Sequence, residues 1–146
     1  MAVRNYNLAE VQAIFGPVEM GGYGEEGGVR IEWQENLWEY SRHADGGGTR
    51  TKNNANDALV TVTLSQSSEK NAELSAIVAV DKLTGAGVNP MMVRDINGTT
   101  LLAGTSAWIE KRPDVEFNKA VTARVWVFHV ENFDGLIGSG NEATSS

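Results

Sequence analysis

Val121-Thr-Ala-Arg-Val-Trp-Val-Phe-His-Val130 decides how this chain folds. Read with a period of two, Val121, Ala123, Val125 and Val127 share one face, while Trp126, Phe128 and Val130 share the other. A strand with one face in water alternates apolar with polar residues; this one is apolar on both sides. Each face needs a cover. The core of a short chain readily supplies one, and the other points to assembly with further copies.

Working outward, 106–111 extends as a strand and is broken by Arg112-Pro113-Asp114. Segments 91–96 and 99–103 flank Asn97-Gly98, the strongest short-range hairpin signal, because a type I′ turn needs positive φ at both central residues. Residues 59–64 alternate cleanly, with Val60, Val62 and Leu64 on one face. Between these lies one amphipathic helix over 69–80. Ser67-Ser68 offers its N-cap, Glu69 an acid in the first turn, and Ala72, Leu74, Ala76, Ile77 and Val80 its apolar positions.

Toward the N-terminus, 29–33 places Val29, Ile31 and Trp33 on one face, and 37–42 is the expected hairpin partner of this strand. Val11–Phe15 reads as a strand stopped by Gly16-Pro17, and Val18–Met20 as its continuation. Residues 45–57 are glycine-rich, then amide-rich, with no hydrophobic period; they read as a long functional loop. From 135 to 146 the chain is polar and is expected to fray. The sum is a mainly β protein, an antiparallel barrel or sandwich with one flanking helix, in a single domain spanning 1–146.

A chain of 146 residues suits one domain with a sizeable core. With no cysteine, thiolate catalysis and cysteine metal sites are excluded. No stretch reads as a signal peptide or approaches a membrane span, so the expectation is a soluble protein with no membrane partner. A net charge of −7 disfavours tight binding to a phosphate backbone. It suits either simple solubility or a surface along which nucleic acid slides without sticking.

No catalytic constellation emerges. His129 reads as a structural residue among valines, and His43 has no second histidine at metal-ligand spacing. The acid pairs Glu25-Glu26 and Asp114 with Glu116 lack the apolar surroundings that hold a carboxyl protonated. Gly46-Gly47-Gly48 is not followed by the Lys-Ser/Thr of a phosphate loop. The expectation is no enzyme, no cofactor and no metal. Trp33 and Trp38 could form the platform of a carbohydrate-binding β-sandwich, although core or interface use is the commoner fate of such rings.

Several segments, in this order, carry a family resemblance: Ala44-Asp-Gly46, Thr49-Arg50, Leu59-Val-Thr-Val-Thr-Leu64, Asn71-Ala-Glu-Leu-Ser-Ala76, Arg94-Asp-Ile-Asn-Gly-Thr-Thr100, Ala107-Trp-Ile-Glu-Lys111, Pro113-Asp-Val-Glu-Phe117 and Arg124-Val-Trp126. Together they resemble the tail tube proteins of contractile-tailed bacteriophages, from about residue 6 to 128. The chain departs at Asn118, where glycine is expected, and at Gly46-Gly-Gly48, which lengthens a glycine turn.

The resemblance implies homohexameric rings stacked into the hollow inner tube of a contractile tail, a conduit for DNA. Implied partners are other copies of the chain, the tail sheath, the baseplate hub, and the tape-measure and tail-terminator proteins. DNA would pass transiently and non-specifically. The implied location is the virion, after assembly in the host bacterial cytoplasm. A type VI secretion or related injection-system tube is the nearest alternative. Expected contacts between subunits or rings are Asp45, Thr49, Arg50, Lys52, Asn54, Asp57, Arg94, Asp95, Lys111, Arg124, Trp126 and Phe128.

Overall fold

The computed structural model describes residues 3–4, 11–20, 28–54, 56–95, 98–117, 123–138 and 143–144. The expected start of the last long strand at 120–122, Asn97 of the hairpin turn, Asn118 and the Glu25-Glu26 pair lie outside them.

In chain order the strands are β1 (Val3–Arg4), β2 (Val11–Phe15), β3 (Val18–Met20), β4 (Gly28–Trp33), β5 (Trp38–Arg42), β6 (Gly48–Lys52) and β7 (Ala58–Ser65). The helix α1 (Lys70–Thr84) follows, then β8 (Asn89–Asp95), β9 (Leu101–Lys111), β10 (Ala123–Glu131), β11 (Asp134–Leu136) and β12 (Ala143–Thr144). One antiparallel sheet runs β3-β2-β8-β9-β10-β7-β4, with β11 added to β9. β5 pairs with β6, and β1 with β12, as separate two-stranded ribbons.

The alternation that marked β7 and β10 sets their register. Trp126 lies opposite Val62, Phe128 opposite Val60 and Val130 opposite Ala58. All of these are buried. On the far side of β10, Val127 and His129 are half-buried and Val125 is 42% exposed. The doubly apolar strand therefore gives one face to the chain's own core and leaves the other partly uncovered. β4 extends the inner face, with Val29 opposite Val62 and Ile31 opposite Val60.

The sheet rolls up. In the strand order, β2 and β10 are separated by β8 and β9. Three inter-strand steps in a flat sheet would hold them ~14 Å apart. Yet the rings of Phe15 and Phe128 meet with centroids 5.0 Å apart, tilted by 50°. Ala13, Phe15, Val18, Met20, Met91 and Val93 thus close over Val60, Val62, Phe128 and Val130 in one core. This is the rolled, mainly β architecture that the alternation predicts.

α1 packs on this roll through Leu74, which is fully buried, and through Ile77 and Val78. It runs past the expected end at residue 80. Gly85 closes it in the left-handed region (φ 71°), its N–H donating to the Asp81 carbonyl at 2.8 Å. The helix N-cap is Glu69, which makes no side-chain cap bond, rather than Ser67 or Ser68, and Glu73 rather than Glu69 is the acid of the first turn; the Ser68 hydroxyl still accepts the Lys70 N–H at 3.3 Å. The buried face differs from expectation. Val78 packs inward, whereas Ala72, Ala76 and Val80 are exposed.

Four further expectations are corrected. Residues 99–103 and 106–111 are not two strands. Residues 101–103 and 106–111 lie in the single strand β9, whose apolar period slips because Met91 faces Gly104 while Asn89 faces Ala107. That extra residue is a β-bulge. Residues 45–57 are not loop throughout, since β6 lies inside them and pairs with β5. β5 is therefore the partner of β6 rather than of β4. Finally, the chain beyond 135 does not simply fray. Gly135 lies opposite Leu102 and Leu136 opposite Leu101, and Ala143 lies opposite Arg4.

Candidate assembly surfaces

Three surfaces face outward. The first is the outer face of the central sheet. Trp108 lies opposite His129, and their rings stack with centroids 4.7 Å apart and planes within 8°. The His129 imidazole sits between two carboxylates, Nε2 at 3.4 Å from Asp57 and Nδ1 at 3.5 Å from Glu110. Val125 and Val127 continue this face along β10. At the other end of the sheet Arg94 Nε donates to Gln12 Oε1 at 2.8 Å.

The second surface is the β5–β6 hairpin, every residue of whose strands is exposed. It is rooted by Gln34 N–H donating to the Asp57 carbonyl (3.0 Å) and Asn53 N–H donating to the Leu37 carbonyl (2.9 Å). At its tip Asp45 Oδ1 accepts the Gly47 N–H at 3.0 Å, fixing the turn, and the His43 ring pairs with the Thr49 hydroxyl. Trp38 faces Lys52, Tyr40 faces Arg50 and Arg42 faces Gly48. Alternation puts all of these on one side of the ribbon, and the Arg50 guanidinium lies 3.7 Å from the Trp38 ring centroid. The opposite side carries Glu39, Ser41, Thr49 and Thr51.

The third is the segment 112–117 after β9. Val115 is 63% and Phe117 86% exposed, interleaved with exposed Asp114 and Glu116. Its first residues border a hollow of about 680 Å³ shared with Asn71, Ser75, Glu110 and Arg124. A smaller apolar recess, about 230 Å³, lies at the hairpin root between Trp33, Leu37, Leu102, Phe133 and Ile137.

The structure divides the expected contact residues. Asp45, Thr49, Arg50, Lys52 and Asn54 are exposed on or beside the hairpin. Lys111 is exposed at the end of β9, while Arg124 is half-buried beside the larger hollow. Asp57 joins the His129 cluster. Asp95 closes the β8–β9 hairpin, its N–H donating to the Thr100 carbonyl at 3.1 Å. Trp126 and Phe128 are corrected. At 2% and 0% exposure they belong to the chain's own core, although Trp126 also lines the larger hollow. The sequence reading missed Tyr40, Val115 and Phe117 as surface groups. The alternation of Val115 and Phe117 with acids just past a proline break was the available signal.

A rolled antiparallel sheet with a partly uncovered apolar face and a projecting ribbon presents surfaces on which other chains can pack. The family model for the bacteriophage PhiTE tail tube protein matches residues 9–138, and the chain belongs to that family. It is a phage tail tube protein, a structural component of the virion. The structural protein ORF10 of Pseudomonas phage KPP10 is 29% identical over 126 residues, covering 85% of this chain and 72% of that protein. Among solved structures, the tube-terminating cap of the anti-feeding prophage shares the fold with a TM-score of 0.61 at 11% identity, covering 92% of this chain and 93% of that one. A chain of the PVC extracellular contractile injection system, solved as an extended sheath–tube complex, gives 0.57 at 13% identity, with 93% and 92% covered.

Proposed function

We propose that this protein, as one domain, forms hexameric rings that stack into the hollow inner tube of a contractile phage tail. The observation that carries this is the outer face of β10. A tail tube family member leaves Val125 and Val127 outside its own core, next to the Trp108–His129 stack. Covering that face with another copy removes apolar surface from water, and strand pairing with neighbours would complete the sheet edges at β3 and β4.

The tube would conduct DNA during ejection. The chain's charge of −7, repeated around each ring, supports a passage that repels a phosphate backbone. Sheath outside, hub at the baseplate, tape measure within and terminator at the tip are its expected neighbours, with assembly in the host cytoplasm. Similarity to injection-system chains favours, as a second reading, the tube of a phage-derived injection apparatus.

Negative-stain microscopy of the purified chain at high concentration tests the proposal. Annuli or hollow filaments are expected. A protein that sediments as a monomer at every concentration would rule it out.

A further inference from the structure

We infer that the β5–β6 hairpin and the 112–117 segment are the two halves of one contact between successive copies. The cationic, aromatic side of the hairpin of one copy seats on the far end of the segment of the next, where beyond Arg112 and Pro113 residues 114–117 are acidic and apolar. This rests on the tube proposal and names the surfaces that carry its stacking.

The two halves lie at opposite ends of the same sheet. β7 begins at the hairpin root, where Ala58 faces Trp33 and Gln34 bonds to Asp57. It ends where Ser65 faces Ala123, beside the helix start; β9 stops at Lys111, level with Thr61, and 112–115 run on toward Arg124 at that end. Eight residues of strand separate the ends by roughly 23 Å. Because the hairpin strands are exposed throughout and rooted at the far end, the two surfaces cannot meet within one copy.

Their chemistry matches. Arg42, Arg50 and Lys52 share a ribbon side with Trp38 and Tyr40. Asp114 and Glu116 alternate with Val115 and Phe117. Cations oppose carboxylates, and rings oppose apolar side chains, including a phenylalanine 86% open to water. The other side of the ribbon, with Glu39 and hydroxyls, offers no such match. Copies that each carry −7 repel one another at long range, so a local pairing of opposite charge is needed to fix their approach. A contact between unlike ends is heterologous and generates open-ended growth.

The absence of cysteine makes a crosslink test clean. A Tyr40→Cys, Glu116→Cys double variant, oxidised under assembly conditions, should give a ladder of disulfide-linked oligomers on a non-reducing gel. Separately, Arg50→Glu with Lys52→Glu, or Asp114→Lys with Glu116→Lys, should each cut the pelletable fraction about tenfold at low salt without lowering the melting temperature. Combining all four reversals in one chain should restore pelleting. Tubes that assemble normally from either reversed pair, with no ladder from the cysteine variant, overturn this contact and leave the tube proposal standing. Failure of the parent chain to form any tube overturns both.

Discussion

The indole N–H of Trp126 donates to Asn71 Oδ1 at 2.9 Å, tying β10 to the first turn of α1 across 55 residues of sequence. The other end of the same amide donates to the carbonyls of Ser65 (2.9 Å) and Ser68 (3.1 Å). One side chain thus satisfies a buried indole donor and orders the turn between β7 and the helix.

Asn71→Ala is expected to cost about 2 kcal/mol, because it leaves a buried donor without its acceptor and frees two turn carbonyls. For a chain of this size that lowers the melting temperature by roughly 6 °C. An unchanged thermal melt would show that water replaces the amide on both sides.

Phe15 and Phe128 hold the roll closed. Phe15→Ala or Phe128→Ala should each cost about 3–5 kcal/mol. A double-mutant cycle between them should return a coupling of about 0.5–1.5 kcal/mol, measured by urea unfolding. Purely additive losses would mean the two rings do not share a contact in solution.

Gly135 pairs with β9 at a φ of 150°, and a Cβ there would sit 2.0 Å from the Leu101 carbonyl oxygen. Gly135→Ala is expected to peel β11 away while leaving the rest of the sheet intact. Hydrogen exchange should then accelerate at Leu101 and Ala103, with protection retained at Phe128 and Val130.

Val125 is 42% exposed on the outward face. Val125→Lys should change monomer stability by no more than about 0.5 kcal/mol. If that face is covered by another copy, the same change should abolish assembly, as read by analytical ultracentrifugation. Assembly at the parent concentration would show that the valine stays in water.

Where burial dictated the pattern, the sequence was legible. β7 announces itself because Val60, Val62 and Leu64 alternate with Leu59, Thr61 and Thr63, and the inner face of β4 follows Val29 and Ile31 for the same reason. β9 misled because its bulge moves the inward set from Leu102 and Gly104 to Ala107 and Ile109, which breaks a strict period of two. β6 was invisible for a different cause. Gly48-Thr-Arg-Thr-Lys52 buries nothing; cross-strand bonds and the Arg50–Trp38 contact hold it, and neither leaves a hydrophobic period. For β10, alternation sorted residues into two faces but could not say which face turned inward. Trp126 and Phe128 were therefore assigned to the outside. Arg50 and Lys52 stand in a polar stretch that reads as surface, while Tyr40 and Phe117 are aromatic residues, which usually find a core.

The slipped period of β9 also limits how this chain can vary. Removing a single residue near Thr105 would erase the bulge and leave Gly104, Ala107 and Ile109 facing inward in an unbroken period of two, whereas the same deletion within 107–110 would exchange the two faces of all that follows it. Relatives should therefore keep small or apolar residues at 102, 104 and 107, and should tolerate a one-residue change in the length of β9 only at the bulge. Insertions and deletions should collect instead at the hairpin tip around 43–47.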